Sequence, residues 1–168
     1  MRVSFVIPAF DEARTIEEVL DRVDALGLDR QIVVVDDGST DGTAEIVERW
    51  RTARADAALV LLRQPNRGKG AAIRAAVPHA DGEIVVIQDA DMETGYKAMR
   101  MDVLRSLDLS QDDFAIEPEI TAKVCRRKLR IYELPIAYYG RTYAEGKKIT
   151  WRDGFKALWV LGRVRVRG

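Results

Sequence analysis

The stretch QIVVVDDGST, residues 31–40, decides the fold class of this chain. Gln31 to Val35 ends in four consecutive β-branched residues, so both faces of an extended strand would be apolar here. A strand that is apolar on both faces is typical of a parallel sheet covered by helices on each side. The turn-forming residues Asp36 to Thr40 mark where this strand ends and a crossover begins.

Three further short apolar segments are predicted as strands, at Val3 to Pro8, Ala58 to Leu62 and Ile84 to Gln88. The segments between them have apolar residues at helical spacing, and the first has its apolar face from Ile16 to Leu26. That helix opens with TIEE, residues 15–18, the pattern of a capping box, and Gly27 is predicted to end it. Because strands and helices alternate, we expect a Rossmann-like α/β fold, a three-layer αβα sandwich with a mostly parallel sheet.

The second half of the chain follows a different rhythm. The expected elements are a strand in GYKAMR (95–100), a short helix at Asp102 to Leu107, a helix starting at its proline from Pro118 to Lys128, a strand at Arg130 to Tyr139, and a last helix after a capping box in TWRD (150–153). No linker or repeat interrupts the chain, so we expect a single domain over residues 1–168.

The charge of the chain is zero in total but unevenly distributed. Residues 1–91 contain 11 basic and 17 acidic residues, whereas residues 92–168 contain 16 basic and 10 acidic residues. This asymmetry predicts one surface that could hold metal ions and one that could meet phosphates or an anionic membrane, with solvated helix faces as the alternative. Cys125 is the single cysteine, which excludes an intrachain disulfide. We expect neither a signal peptide nor a membrane-spanning segment.

Acidic segments follow three of the predicted strands, at PAFDE (8–12), DDGSTD (36–41) and QDAD (88–91). In doubly wound sheets, ligands bind outside the carboxyl ends of the strands, so these segments are expected to meet at one edge. Asp36 and Asp37 suit hydrogen bonds to a base and a ribose. The alternative is structural, with Asp37 capping the turn and Asp41 capping the next helix.

Other segments carry the residue types that hold metals, phosphates or lipid. The carboxylates of Asp89-Ala90-Asp91 suit Mg²⁺ or Mn²⁺. NRGKG (66–70) and GRTYAEGKKI (140–149) carry basic residues that suit phosphates, although each is equally compatible with a turn or a solvated loop, and the first lacks the Walker spacing. Residues 149–168 combine aromatic and basic side chains at helical spacing, which favours either a helix lying on anionic lipid or one packed on the sheet.

Together these segments resemble the family 2 glycosyltransferases of GT-A fold, and within them the polyprenyl-phosphate (dolichyl-phosphate) mannose or glucose synthases. The matching segments are VIPAFDEARTI, VVVDDGSTDGTAEI, NRGKGAAIRAA, IVVIQDAD, DMETGYKAMRMDVL, FAIEPEITAKVCRR and IYELPIAYYGRTYAEGKKITWRDGFKAL. The resemblance covers nearly the whole chain. It implies a nucleotide-sugar and metal-binding half at residues 1–91, and an acceptor-side half with a basic amphipathic C-terminal helix at residues 92–168.

The resemblance also implies roles for individual residues. Those expected to bind the donor are Pro8, Phe10, Glu12, Asp36, Asp37 and Asp89. Those expected to bind the metal are Asp89, Asp91 and Glu93. Those expected to act in catalysis are Asp91, Arg141 and Lys148, with Lys147 beside them near the phosphates.

The implied reaction is a metal-assisted, inverting transfer of a hexose from GDP-mannose or UDP-glucose to a polyprenyl or dolichyl phosphate, with mannose favoured over glucose. It would take place at the cytoplasmic face of a membrane, with no nucleic-acid partner. In the family, several tens of residues separate the Asp-x-Asp strand from the DMETGYK segment, whereas here the two share Asp91. The alternative is therefore an internally deleted, non-catalytic remnant that binds nucleotide. A nucleotidyltransferase is disfavoured, because no glycine-rich signature follows the first strand.

Overall fold

The computed structural model describes residues 1–54, 57–91, 96–134 and 151–167 of the chain. The strands are β1 (Val3–Ala9), β2 (Arg30–Asp36), β3 (Leu59–Arg63), β4 (Ile84–Ile87) and β5 (Lys97–Arg100). They form one sheet in the order β3-β2-β1-β4-β5, in which β1 to β4 are parallel and β5 pairs antiparallel with β4. The four strands predicted in the first half agree with the structure to within one residue at each end.

Helices cover both faces of this sheet. They are α1 (Ile16–Asp24), α2 (Thr43–Ala53), α3 (Lys69–Ala76), α4 (Met101–Ser106), α5 (Ile116–Arg126) and α6 (Trp151–Arg167), with a short 3-10 helix at Val77–His79. Ile32 and Val34 of β2 pack on the side of α1 and α2, whereas Val33 and Val35 pack on the side of α3, α4 and α5. All four side chains are buried, so the double-faced strand expected from the sequence is confirmed, and with it the three-layer α/β fold.

Two details of α1 differ from the sequence prediction. Thr15 occupies the N-cap position, but its hydroxyl makes no capping bond and instead donates to the carbonyl oxygen of Ala90 at 2.7 Å. The predicted capping box is therefore wrong, because Thr15 Oγ1 accepts no helix amide and the Thr15 amide donates to the carbonyl oxygen of Glu12 at 3.1 Å. The helix ends at Asp24, so Leu26 is exposed and does not extend the apolar face, and Gly27 adopts a left-handed backbone with φ of 63°.

The second half agrees with the sequence except at two places. β5 and α4 lie where the pattern predicts them, but α5 begins at Ile116, so Pro118 is its third residue and not its first. The strand predicted over residues 130–139 is wrong for residues 130–134, which form no strand. An alternating pattern needs a neighbouring strand to bury one face, and here the apolar side chains are exposed: Ile131, Tyr132 and Leu134. Positions 135–139 lie outside the described residues.

The last helix, α6, packs on α5 and leaves a second apolar face exposed. Val160 and Val164 are buried against Ala115 and Ala122. The exposed apolar residues are Phe155, Leu158, Trp159 and Leu161. The expected packing on the sheet is replaced by packing on α5, and contact of the exposed face with lipid stays a prediction. Thr150, which starts the predicted capping box, lies outside the described residues. In the described part of the chain, no helix has the length and apolarity needed to cross a bilayer.

Candidate functional site

The loops that follow β1 and β2 are joined at the carboxyl edge of the sheet. The amide of Glu12 donates to Thr43 Oγ1 at 2.9 Å, and the amide of Ala13 donates to Asp41 Oδ2 at 2.9 Å. Asp11, which has a left-handed backbone with φ of 51°, accepts the amide of Thr40 through Oδ1 at 2.8 Å. These bonds fix the loops relative to each other, and the strained conformation of Asp11 is held in place by them.

The loop after β4 joins the same edge through Thr15. Its bond to the carbonyl of Ala90 ties the start of α1 to the residue between Asp89 and Asp91. Three acidic segments therefore meet, as the sequence predicts. Phe10 and Glu12 are half-buried beside them, and Pro8 is a half-buried residue of β1.

Asp36 and Asp37 are adjacent and buried, but they differ in their surroundings. Asp36 ends β2, and its Oδ1 is one of the buried side-chain atoms among the described residues that has no hydrogen-bond partner. A buried carboxylate oxygen without a partner is costly, so a ligand that donates a hydrogen bond would stabilise it. This observation suits the expected contact of Asp36 with a nucleotide.

Asp37, by contrast, is engaged with the chain itself. Its Oδ1 accepts from Gln64 Nε2 at 2.7 Å and from the amide of Arg67 at 2.9 Å. Its Oδ2 accepts from the amide of Gly68 at 2.7 Å. Asp37 thus anchors the glycine-containing loop before α3, a structural role that differs from the predicted capping of its own turn.

The loop NRGKG (66–70) is shaped for close packing. A Cβ atom at Gly68, whose φ is 96°, would lie 2.6 Å from the backbone oxygen of Asp112, and one at Gly70 would lie 2.2 Å from that of Gln111. The amide of Ala71 donates to Asp112 O at 2.9 Å. With the amides of Arg67 and Gly68 bound to Asp37, the geometry favours a packed turn over a phosphate-binding loop.

Lys69, one of the two basic residues of NRGKG, lies between two carboxylates. Its Nζ is 2.6 Å from Asp89 Oδ1 and 2.7 Å from Glu117 Oε1. Lys97 of β5 forms an ion pair with the other oxygen of Glu117. The Lys69 side chain is only 12% exposed, so these contacts occur largely out of water.

Sequence reasoning missed this cluster. Glu117 lies in the first turn of α5, where acidic residues commonly complement the helix dipole, so nothing in the local pattern distinguished it. Lys97 belongs to a short strand whose pairing with β4 only the fold reveals. A useful signal was the lysine within NRGKG, since a basic residue entering a buried loop needs an acidic partner.

In the cluster of Lys69, Lys97, Asp89 and Glu117, the lysines neutralise the two carboxylates to different extents. Burial raises the pKa of Asp89, and the negative charges of Asp91 and Glu117 raise it further, against the opposing effect of Lys69. Burial also acts to raise the pKa of Glu117, but Lys69 and Lys97 together lower it below its usual value. Burial acts to lower the pKa of Lys69, yet Asp89 and Glu117 hold it above its usual value. Asp89 is thus the carboxylate that would gain most from another cation.

The residues at this edge suit a divalent metal without completing a site for it. Asp89 and Asp91 offer carboxylate oxygens, the ligands that Mg²⁺ and Mn²⁺ prefer. Within residues 1–54, 57–91, 96–134 and 151–167, no group of three or more His, Cys, Asp or Glu side chains is arranged to hold a metal. A metal here would need further ligands, such as phosphate oxygens or water. The predicted ligand Glu93, and the predicted phosphate-binding residues Arg141, Lys147 and Lys148, lie outside the described residues.

Comparison with known proteins adds three findings. The model of the family "Glycosyl transferase family 2" matches residues 4–100. A dolichyl-phosphate beta-glucosyltransferase from Trichomonas vaginalis is 41% identical over 102 residues, covering 54% of this chain and 29% of that protein. The solved mannosyltransferase PcManGT from Pyrobaculum calidifontis, in complex with GDP-Man and Mn²⁺, is 40% identical with a TM-score of 0.53, covering 63% of this chain and 31% of that one.

A further likeness concerns the fold alone. Glucosyl-3-phosphoglycerate synthase from Mycobacterium tuberculosis matches 96% of this chain and 80% of its own, with a TM-score of 0.68 and 20% identity. The chain spans only 28% to 31% of the length of the curated relatives that it matches. The part matched by the family model, residues 4–100, contains β1 to β5 and the loops that are joined at the carboxyl edge of the sheet.

Proposed function

The chain belongs to glycosyl transferase family 2, and from that premise we propose that it transfers a hexose from a nucleotide sugar to a polyprenyl or dolichyl phosphate. The observation that carries the proposal is that Asp36 and Asp89 both lie at the carboxyl edge of the sheet, Asp36 at the end of β2 and Asp89 after β4. Asp36 has a buried oxygen without a hydrogen-bond donor, and the pKa of Asp89 is raised despite its ion pair with Lys69, so further positive charge would stabilise this carboxylate. A nucleotide sugar with a divalent metal on its diphosphate meets both needs.

In this proposal the first half of the chain binds the donor. Asp36 accepts a hydrogen bond from the base or ribose, and Pro8, Phe10 and Glu12 line the same edge. Asp37 contributes by holding the loop before α3 in place. The acidic residue at the end of a parallel strand is a recurrent way to read nucleosides in doubly wound sheets.

Asp89 and Asp91 would hold the metal, with Glu93 as a proposed further ligand. When bound, a divalent metal neutralises charge on the diphosphate and so improves it as a leaving group. Thr15 orients the backbone between the two aspartates. Lys69 and Lys97 add positive charge on the side of Glu117.

The proposed reaction is a single displacement. An oxygen of the acceptor phosphate attacks the anomeric carbon, the bond from that carbon to the diphosphate oxygen breaks, and the nucleoside diphosphate leaves. A phosphate is already anionic near neutral pH, so it needs positioning and charge neutralisation more than a general base. We assign the positioning to Arg141 and Lys148, with Lys147 beside them, and the metal-side contact to Asp91.

We propose mannose as the preferred sugar. The PcManGT relative, 40% identical, is bound to GDP-Man, which supports a GDP-mannose donor. The Trichomonas vaginalis relative is named as a glucosyltransferase, so UDP-glucose is the competing donor. Its dolichyl-phosphate acceptor supports a lipid-linked phosphate for this chain.

The exposed face of α6 suits contact with the surface of the membrane that carries such an acceptor. Phe155, Leu158 and Trp159 present apolar surface, and the guanidinium of Arg163 lies 5.2 Å from the centre of the Trp159 ring. A helix with exposed aromatic and basic residues suits the interface of an anionic leaflet. We therefore propose a peripheral association at the cytoplasmic face.

The proposal is tested by incubating the chain with labelled GDP-mannose or UDP-glucose, polyprenyl phosphate and MnCl₂ or MgCl₂. We expect label in the lipid product, more from GDP-mannose, and its loss with EDTA or in Asp89→Asn. No lipid product with any donor would contradict the transferase. If GDP or UDP then still binds with MnCl₂, the chain is the nucleotide-binding remnant that the junction at Asp91 suggests.

A further inference from the structure

The ammonium of Lys69 already forms an ion pair with Asp89, the carboxylate that would hold the metal. Its nitrogen lies 2.6 Å from Asp89 Oδ1, a distance typical of a direct ion pair. We propose that Lys69 competes with the divalent metal for Asp89, so that the metal binds tightly only when the diphosphate of a nucleotide draws Lys69 away. The inference rests on the proposed function, since it assumes a metal and a diphosphate at this edge.

The backbone of Lys69 is fixed, so an exchange of partners must come from its side chain. Lys69 is the first residue of α3. The amides of Arg67 and Gly68, directly before it, are held by Asp37 at 2.9 and 2.7 Å. Four rotatable bonds then allow the ammonium to move while the helix stays in place.

Glu117 gives Lys69 a second position. Lys69 Nζ lies 2.7 Å from Glu117 Oε1, so it can leave Asp89 and keep one carboxylate partner. A largely buried ammonium that lost every partner would be strongly destabilised, and Glu117 prevents this. Glu117 stays charged beside its two lysines, since Lys97 pairs with its other oxygen.

The charges of the cluster explain why the nucleotide and the metal would depend on each other. The ammonium of Lys69 pairs with Asp89 and Glu117, Lys97 pairs with Glu117, and Asp91 adds a negative charge near Asp89. A metal added alone must share Asp89 with Lys69, and two cations on one carboxylate repel each other. A diphosphate brings negative charge that can pair with both cations. Metal and nucleotide therefore bind with positive coupling.

The test measures free Mn²⁺ by electron paramagnetic resonance during titration with MnCl₂, alone and with saturating GDP or UDP. We expect Lys69→Met to bind Mn²⁺ alone roughly tenfold more tightly than the wild type, within the usual range of coupling between sites. The further gain from GDP or UDP should shrink in this variant. Lys128→Met is the matched control, because Lys128 lies beyond the C-terminal end of α5, whereas Glu117 lies in its first turn. It should bind Mn²⁺ as the wild type does.

Glu117→Gln supplies an independent arm that does not require Lys69→Met to fold. Without its second position, Lys69 stays on Asp89, so Mn²⁺ alone should bind more weakly than in the wild type. In Lys69→Met/Glu117→Gln, this weakening should be absent. Mn²⁺ affinity that is unchanged or lower in folded Lys69→Met, or unchanged or higher in Glu117→Gln, would overturn the competition. Failure of Mn²⁺ to bind the wild type even with GDP and UDP would overturn the proposed function as well.

Discussion

The hydroxyl of Thr15 donates to the carbonyl oxygen of Ala90 across 75 residues of sequence, and this bond places the two aspartates of the Asp-x-Asp segment against the start of α1. We predict that Thr15→Val weakens binding of GDP or UDP with MnCl₂ roughly fivefold, the equivalent of one hydrogen bond. Isothermal titration calorimetry measures this, with Thr15→Ser as the control that keeps the hydroxyl. Equal binding by the Val and Ser variants would show that the bond does not position the site.

Substitution of Asp36 should mainly affect nucleotide binding, whereas substitution of Asp37 should mainly affect stability. We predict that Asp36→Asn lowers nucleotide affinity at least tenfold with little change in the free energy of unfolding, because its Oδ1 has no partner in the protein. Asp37→Ala should lower the free energy of unfolding by about 3 kcal/mol, because Gln64, Arg67 and Gly68 lose their acceptor. Calorimetry and urea denaturation distinguish the two. The reverse pattern would contradict these assignments.

The first turn of α3 should tolerate no side chain at Gly70. A Cβ there would lie 2.2 Å from the backbone oxygen of Gln111, and backbone on both sides leaves little room to move. We predict that Gly70→Ala lowers the free energy of unfolding by more than about 2 kcal/mol, measured by urea denaturation. Gly154→Ala in α6 is the matched control, because a Cβ there meets nothing within 4 Å, and it should be neutral or stabilising. Similar losses in both variants would contradict the packing.

The charge of Asp89 should cost stability in the absence of metal. Burial and the neighbouring carboxylates raise its pKa, so the folded state binds this proton more tightly than the unfolded state. Stability is therefore lost as pH rises from the unfolded pKa through the folded one. We predict that Asp89→Asn in EDTA is more stable than the wild type at neutral pH, and that the difference fades in acid.

The charge of Glu117 should affect stability in the opposite direction to the charge of Asp89. Its lysine partners lower its pKa, so its charge stabilises the folded state above the unfolded pKa, and that stability is lost as pH falls through the folded pKa. Glu117→Gln should therefore be less stable than the wild type at neutral pH. Thermal unfolding across pH checks both variants, and a loss of stability in Asp89→Asn at neutral pH would contradict the account.

The exposed face of α6 should bind anionic vesicles. We predict that Leu158→Ser/Trp159→Ser lowers partitioning onto phosphatidylserine vesicles at least tenfold, because each side chain would bury apolar surface there. Vesicle sedimentation measures this. Leu26→Ser is the matched control, since Leu26 is also exposed but lies beyond the end of α1. Unchanged partitioning of the double variant would show that α6 is not the contact.

Local sequence pattern was sufficient to predict the strands, because a short run that is apolar on both faces, such as Ile32 to Val35, is typical of a buried parallel strand. It failed where the deciding partner is distant in sequence. Thr15 has the local signature of a cap, yet its hydroxyl binds Ala90. Residues 130–134 alternate as a strand would, yet they form no strand and pair with none of the described strands. In each case a tertiary contact, or its absence, outweighs local preference.

The same distinction applies to the site. Asp36, Asp37, Asp89 and Asp91 could be predicted as one group, because strand ends of a parallel sheet share an edge. That Asp37 anchors a loop while Asp36 keeps an unpaired oxygen depends on the amides of Arg67 and Gly68, which sequence spacing does not position. The ion pairs of Lys69 with Asp89 and Glu117 join α3, the loop after β4 and α5, which sequence alone does not bring together.

The most direct measurement is nuclear magnetic resonance of the lipid product formed from GDP-mannose or UDP-glucose, polyprenyl phosphate and MnCl₂. A single displacement inverts the anomeric centre, so an α-linked donor should give a β-linked hexosyl phosphate, abolished in Asp89→Asn. An α-linked product would contradict the proposed mechanism. The absence of any hexosyl lipid, with either donor and with the chain folded, would contradict the proposed transfer itself.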